Sequence, residues 1–136
     1  MIVDTSALIA IAWGENGSEP LEEALAKTAA VIPAPVVVEF ALVTSGSANH
    51  PNPHAQQLLD RLVARGIGIA PFVPEDAALA VEAHCRHGRG NGHGGKLNML
   101  DVMVYCMAKR LDMPILCTGR DFASTDAQIH PASRTN

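Results

Sequence analysis

The sequence opens with MIVDTSALIAIA (residues 1–12), where a short apolar run is followed at once by an acid and two hydroxyl side chains. The apolar residues 1–3 predict a buried strand that ends at Asp4. The two hydroxyl residues that come next are suited to cap a helix, and residues 7–12 are apolar enough to form it. This segment therefore predicts a strand, a turn and a helix, with Asp4 at the carboxyl end of the strand.

The rest of the chain repeats the alternation of short apolar runs with helical spacing. Loops are predicted at 45–53 and 88–96, and a loose tail is predicted after Asp126. The order β-α-α-β-α-α-β-α-α-β predicts an α/β domain over residues 1–136, with a small, mostly parallel sheet of four or five strands and helices on both faces. The later strands are predicted at 31–33, 67–73 and 114–118. The later helices are predicted from Glu19 to about Ala30 after a Ser18 cap, from Val36 to about Thr44 after Pro35, from Pro53 to Arg65, from Pro74 to about His87, and from Asn98 to about Leu111.

Composition restricts the class of protein. The chain has 136 residues, 48% of them apolar, which is enough for one domain with a real core. Its net charge of −4 argues against a protein that coats nucleic acid with a basic surface. The three cysteines form no CxxC pair, so we expect reduced, buried thiols and neither a disulfide framework nor a zinc site. The amino-terminal apolar run lacks a basic region and is too short for a bilayer, which predicts a cytoplasmic protein.

Four acids stand in unusual positions. Asp4 ends a buried strand, and in open parallel sheets ligands bind beyond the carboxyl ends of the strands. Glu39 and Asp101 are each the single charge in an apolar helical segment. Asp121 follows the last predicted strand. Isolated carboxylates in apolar surroundings are costly unless they are paired, hydrogen-bonded or metal-bound, so we expect these four to converge on one hard cation.

Each acid also has an alternative interpretation that the sequence leaves open. Asp4 could cap the following helix, Glu39 could face solvent, Asp101 could favour the helix amino terminus, and Asp121 could be a solvated loop acid. The metal hypothesis depends on the set of four. Magnesium suits it because this ion takes oxygen ligands, keeps several waters and bridges to phosphate, and manganese is an acceptable substitute. Carboxylate-held magnesium is typical of phosphodiester cleavage.

The motifs around these acids resemble those of the PIN-domain family, and within it the VapC toxins of VapBC toxin–antitoxin pairs. Four segments carry the resemblance, in family order and over essentially the whole chain: residues 2–8, 35–39, 97–108 and 118–126. The resemblance implies a three-layer PIN-like fold and a magnesium-dependent endoribonuclease that cleaves tRNA or rRNA. It also implies neutralisation by a cognate VapB-type antitoxin and a homodimer. Catalysis and metal binding would fall to Asp4, Glu39, Asp101 and Asp121, supported by Thr5, Ser6 and Thr118.

Two departures from the family pattern keep another function open. Leu100 stands where a glycine usually precedes the third acid, and Arg120 stands where the last motif usually carries a second acid. Water or Asp126 could then complete the metal shell in place of Asp121. The alternative function is a catalytically degraded PIN-fold binding module. A receiver-type phospho-acceptor domain also uses acids at strand ends, but it requires adjacent acids near the first strand and a lysine after the last one, and no lysine follows Lys109.

One region is locally basic. The segment GRGNGHGGK (88–96) contains five glycines and cannot form regular structure. We expect it to contact RNA phosphates, because glycines let the backbone approach closely and cations neutralise phosphate charge. The alternative is a solvated flexible loop. The predicted RNA-binding residues are Arg86, Arg89 and Lys96.

Overall fold

A single parallel sheet organises residues 1–48 and 50–135, the part of the chain that the computed structural model describes. Its strands are β1 (Ile2–Val3), β2 (Val31–Pro33), β3 (Gly68–Ala70) and β4 (Ile115–Leu116). They lie in the order β3-β2-β1-β4, and each neighbouring pair is parallel. Both residues of β1 are fully buried although they point to opposite faces. The sheet is therefore covered on both sides, as the sequence predicts.

The helices fill the connections in the predicted order. They are α1 (Thr5–Ala12), α2 (Glu19–Lys27), α3 (Ala34–Ser45), α4 (Pro53–Ala64), α5 (Pro74–His87) and α6 (Met99–Leu111), followed by a 3₁₀ turn over Phe122–Ser124. Helix α1 packs against α2, α3 and α4, while α5 packs against α6. No helix in the described part of the chain combines the length and apolar character needed to cross a membrane.

The predicted start of α1 is wrong in a way that matters for the site. The cap is Asp4 and not a hydroxyl, because the Asp4 carboxylate accepts a 2.9 Å hydrogen bond from the Ser6 backbone N–H. A carboxylate caps a helix amino terminus as well as a hydroxyl does, and Asp4 directly precedes the first helical residue, Thr5. At α2, Ser18 precedes the helix but its side chain makes no capping bond, and the helix ends at Lys27 and not near Ala30.

The prediction of a loose tail after Asp126 is also wrong. The tail runs parallel to β4 and forms bridges that pair Ile115 with Ile129 and Thr118 with Arg134. The physical reason is that β4 ends the four-stranded sheet, and the tail satisfies backbone groups that this edge would otherwise leave unpaired. The cysteine prediction holds for Cys106 and Cys117, which are buried, but Cys85 is exposed.

Candidate active site

The Asp4 carboxylate is held at the carboxyl end of β1 by the first turn of α1. It is buried, and its Oδ2 accepts hydrogen bonds from both the backbone N–H and the hydroxyl of Ser6. Burial raises the pKa of the Asp4 carboxyl, the Ser6 hydrogen bonds oppose that rise, and the charge of Glu39 adds to it. Asp4 therefore combines the capping role and a position beyond a strand end.

Glu39 reaches the same place from helix α3. The hydroxyl of Thr5, the first residue of α1, donates a hydrogen bond to Glu39 Oε2. Because Thr5 is adjacent to Asp4 in the chain, this bond brings the acid of α3 beside the acid of β1. Thr5 is itself buried, so it anchors Glu39 from a rigid position.

Asp101 lies in the first turn of α6, where Asn98 caps the helix. The Asn98 side chain accepts a 2.9 Å bond from the Asp101 N–H, and Asp101 Oδ2 accepts a 2.8 Å bond from the Asn98 N–H. This reciprocal pair fixes the acid at the helix terminus. Burial raises the pKa of the Asp101 carboxyl to about 7, although the Asn98 hydrogen bond opposes it, and the charges of Asp4, Glu39 and Asp121 add to the rise.

Asp121 is carried by the loop that follows β4. Near the start of this loop, the Thr118 N–H donates a 2.9 Å hydrogen bond to the Ser6 hydroxyl, and Ser6 in turn binds Asp4. Gly119 then turns the chain with a φ of +86°, a conformation that favours glycine. Asp121 is exposed at the start of the 3₁₀ turn, and its side chain makes no capping bond there.

The four acids share one electrostatic environment, since Asp101 senses the charges of the other three. In the described part of the chain, however, no three His, Cys, Asp or Glu side chains stand close enough to enclose a metal ion. Magnesium does not need such an enclosure, because it usually binds through one or two carboxylates and keeps several waters. The oxygen donors and their mutual repulsion fit a hard divalent cation, and Asp4, Glu39 and Asp101 each have acceptor capacity beyond the one residue that hydrogen-bonds to them.

Comparison with known proteins assigns this arrangement to a family. The model of the PIN domain matches residues 1–128. Ribonuclease VapC42 of Mycobacterium tuberculosis is 37% identical over 134 residues, covering 97% of this chain and 98% of that protein. The chain belongs to the PIN-domain family, in its VapC group. Ribonuclease VapC36 of the same organism is also 37% identical, over 95% of this chain and 92% of that protein.

Solved structures support the fold of this PIN domain. The sarcin–ricin loop cleaving toxin VapC20 of Mycobacterium tuberculosis superposes with a TM-score of 0.75 at 13% identity, covering 96% of this chain and 98% of that one. VapBC2 from Rickettsia felis, bound to a promoter DNA fragment, gives a TM-score of 0.72 at 15% identity, covering 94% of each chain. At these identities the likeness concerns the fold alone, and it confirms the α/β PIN-like architecture predicted from the sequence.

Asp126 is already paired with two side chains of α6. Asp126 accepts hydrogen bonds from the Tyr105 hydroxyl at 2.5 Å and from Lys109 Nζ at 3.0 Å. These bonds hold the pKa of its carboxyl down at about 2. A carboxylate that is already paired in this way is a poor replacement for Asp121 in a metal shell.

The glycine-rich segment 88–96 is ordered by Asn91. The Asn91 amide donates to the carbonyl oxygens of Cys85 and Arg86 at the end of α5, and its oxygen accepts the N–H groups of His93 and Gly95. A Cβ on Gly95 would lie 2.3 Å from a backbone oxygen, so glycine is required at this position. The fold thus holds the segment as a compact loop that joins α5 to the Asn98 cap.

The predicted RNA-binding side chains differ in their surroundings. Arg86 forms an ion pair with Glu82 one turn earlier, and Arg89 reaches the Lys96 carbonyl over 3.5 Å. All three basic side chains are exposed. Their role in RNA binding stays a prediction, with Arg86 partly neutralised by its neighbour.

Sequence reasoning missed two parts of the site. Cys117, the residue before Thr118, is buried at its floor, and burial together with the charges of Asp4 and Asp101 raises the pKa of its thiol to about 12. The position of Cys117 directly before Thr118 is the sequence feature that could have indicated its place in the site. The second omission is Arg134, which the structure connects to the loop of Asp121 and for which the sequence offers no local pattern.

Proposed function

We propose that this protein is a divalent-metal-dependent endoribonuclease toxin that uses magnesium, or manganese in its place, to cut tRNA or rRNA in the cytoplasm. The observation that carries the proposal is the shared field of four carboxylates at the carboxyl edge of a PIN-domain sheet. Relatives at 37% identity over nearly their whole length are named ribonucleases. In the proposed site the cation would lie among Asp4, Glu39, Asp101 and Asp121, with one or two of these carboxylates bound to it directly and the others reaching it through water.

Each protein group has a defined task in this proposal. Ser6 orients the Asp4 carboxylate, Thr5 orients Glu39, and the Asn98 cap orients Asp101. The bound cation supplies charge that polarises the phosphoryl oxygen, increases the acidity of the attacking water and neutralises the leaving oxygen. Repulsion among the empty carboxylates favours cation binding, because the ion removes the cost of holding like charges together.

RNA cleavage by purified protein tests the proposal. Wild type should cut RNA with magnesium and not with EDTA, while Asp4→Asn and Asp101→Asn should lose cleavage under both conditions. Asp60→Asn is the matched control, because Asp60 is an exposed helical acid that accepts a hydrogen bond from Gln56, one turn earlier in the same helix. Equal cleavage by all proteins with and without EDTA would reject the carboxylate–metal mechanism.

The alternative function, a degraded PIN-fold binding module, rests on Leu100 and Arg120 at positions where the family pattern differs. This alternative predicts that the wild-type protein binds RNA but does not cut it in the presence of magnesium or manganese. A gel-shift measurement on the same samples separates the two functions. Binding with no product at any metal concentration would favour the alternative.

We also propose that a cognate VapB-type antitoxin silences the protein. Solved relatives of the same fold include a toxin–antitoxin complex from Klebsiella pneumoniae, with a TM-score of 0.65. Co-expression with the product of a short reading frame found beside its gene should restore growth of cells that the toxin arrests. The homodimer stays a prediction that sedimentation can test.

A further inference from the structure

The residues beyond the matched PIN domain are attached to the strand that leads into the site. The family match ends at residue 128, and residues 129–135 continue beside β4. Near the start of this segment, the His130 N–H donates to the Ile115 carbonyl over 2.8 Å. Further along, the Ser133 hydroxyl donates to the same carbonyl and accepts the Cys117 N–H, both at 3.1 Å.

The last contacts of this segment reach the loop of Asp121. The Arg134 N–H donates to the Cys117 carbonyl over 3.1 Å, and its carbonyl accepts the Gly119 N–H at 2.7 Å. On the other side, the Thr118 N–H donates to Ser6. Thr118 is therefore held by Ser6 on one side, and Gly119 is held by the backbone of Arg134 on the other.

The Arg134 side chain extends the attachment to a third segment. Its Nη2 donates to Glu15 Oε2 over 2.9 Å, and its Nη1 donates to the Asn16 carbonyl. A Cβ on Gly17, where φ is +81°, would lie only 3.3 Å from Arg134 Cδ. The aliphatic part of the Arg134 side chain thus lies against the α1–α2 connection, and its guanidinium hydrogen-bonds to that connection.

Asp121 depends on such external support. It is exposed and its side chain makes no capping bond, so the backbone of its loop determines where the carboxylate lies. That backbone passes through Gly119, the residue type with the greatest conformational freedom. A loop of this kind is well defined only when neighbouring segments restrain it.

We propose that residues 129–135 act as a clasp, with Arg134 as the positioning residue that holds the Thr118–Asp121 loop against the three other acids. The structural part of this proposal is independent of catalysis. Its consequence for metal binding and turnover rests on the proposed nuclease function. Arg134 touches neither the acids nor the substrate in this proposal and acts through the loop.

The structural part is tested without metal by amide hydrogen exchange. In Arg134→Ala the backbone carbonyl that accepts the Gly119 N–H is still present, but the side-chain bonds to Glu15 and Asn16 that hold this carbonyl in place are lost. The Gly119 N–H should therefore exchange at least about tenfold faster. Amides of the central strands, such as Val3, should keep wild-type rates. Arg134→Lys should restore part of the protection. Lys27→Ala is the matched control, because it removes an exposed ion pair with Glu23 far from the loop.

The functional part is tested by manganese titration and by kinetics. Arg134→Ala should weaken manganese binding and lower kcat about tenfold or more with KM nearly unchanged, because misplaced catalytic groups reduce turnover. A chain that ends at Gln128 should show the same changes more strongly; if it does not fold, the two Arg134 variants decide. The clasp would be overturned if the Gly119 N–H of Arg134→Ala exchanged at the wild-type rate, or if the exchange rates of all amides rose equally. Faster Gly119 exchange with unchanged manganese affinity and kcat would overturn its positioning role. If wild type cuts no RNA, the nuclease proposal fails while exchange and titration still judge the clasp.

Discussion

Replacing Asp101 with asparagine should stabilise the metal-free protein at alkaline pH while it abolishes RNA cleavage. Asparagine keeps the size of the side chain and an oxygen that can accept the Asn98 N–H, so the helix cap survives. What disappears is the negative charge beside Asp4, Glu39 and Asp121. The variant therefore separates the structural role of the residue from its electrostatic cost.

The magnitude follows from the pKa of the Asp101 carboxyl, which rises from its ordinary value of 3.8 to about 7. At about 1.4 kcal/mol for each tenfold change in proton affinity, this rise corresponds to about 4 kcal/mol. Because Asp101 is only partly buried, solvent screening reduces the expected gain to roughly 2 kcal/mol. In the window from 3.8 to about 7 the folded protein binds more protons than the unfolded chain. The free energy of unfolding of wild type therefore falls as pH rises through this window.

Urea denaturation in EDTA at pH 4 and pH 8 measures the effect. Wild type and Asp101→Asn should have similar free energies of unfolding near pH 4, and the variant should be more stable by roughly 2 kcal/mol at pH 8. Saturating magnesium should reduce the difference, because only the wild type gains a full set of ligands. Asp60→Asn keeps Asp101, so its free energy of unfolding should follow that of wild type at both pH values. A variant less stable than wild type at pH 8, or equally stabilised at both pH values, would contradict the electrostatic reasoning.

Three further perturbations test other parts of the structure. Ser6→Ala removes the hydroxyl that joins Asp4 to the Thr118 N–H, so we expect a loss of about 1 to 3 kcal/mol in urea denaturation and a lower kcat. Asp76→Asn leaves Arg110 without its charged partner and should cost about 3 kcal/mol, with RNA cleavage unchanged at temperatures where the variant stays folded. Joint neutralisation of the basic loop should flatten the dependence of RNA affinity on salt in fluorescence titrations, and an unchanged slope would reject that loop as an RNA contact. This last variant combines changes at Arg86, Arg89 and Lys96.

The sequence allows the order of elements to be predicted because local periodicity carries it. Each helix has apolar residues at helical spacing, and each strand is a short apolar run next to a turn signal. Strand β3 lies at an edge of the sheet, and Gly68 within it and Pro71 directly after it are residue types typical of edge strands. The connection rules for parallel sheets reduce the number of possible strand orders, and the structure supplies the order β3-β2-β1-β4.

The tail could not be predicted in this way because its contacts are distant in sequence. Residues 126–136 contain no apolar periodicity, and the hydrogen bonds that order them go to β4 and to the loop at Glu15. A related limit applies to the glycine-rich segment, whose order depends on the side chain of Asn91. In the tail these bonds are distant in sequence, whereas in the glycine-rich segment they are local side-chain bonds of Asn91; in both places specific hydrogen bonds, rather than residue propensity, determine the conformation.

Asp76 and Asp101 show why the candidate site needed three-dimensional information. Both acids lie in the first turn of a helix, and both accept a hydrogen bond from the backbone N–H three residues earlier, at 2.9 and 2.8 Å. Their sequence surroundings therefore support the same capping interpretation. Burial acts to raise the pKa of each carboxyl, but at Asp76 the hydrogen bonds from Arg110 and Val73 reverse the direction and leave it lowered.

Among the described residues Asp101 has no arginine partner, and burial together with the charges of three further acids raises its pKa. A buried acid paired with an arginine stabilises the fold at neutral pH, whereas an acid among acids destabilises it until a cation arrives. Opposite signs for Asp76→Asn and Asp101→Asn in the same denaturation experiment would thus distinguish a structural carboxylate from a metal-binding one. Nearly unchanged stability in Asp101→Asn would mean that Asp101 serves only to cap its helix, because asparagine keeps that cap.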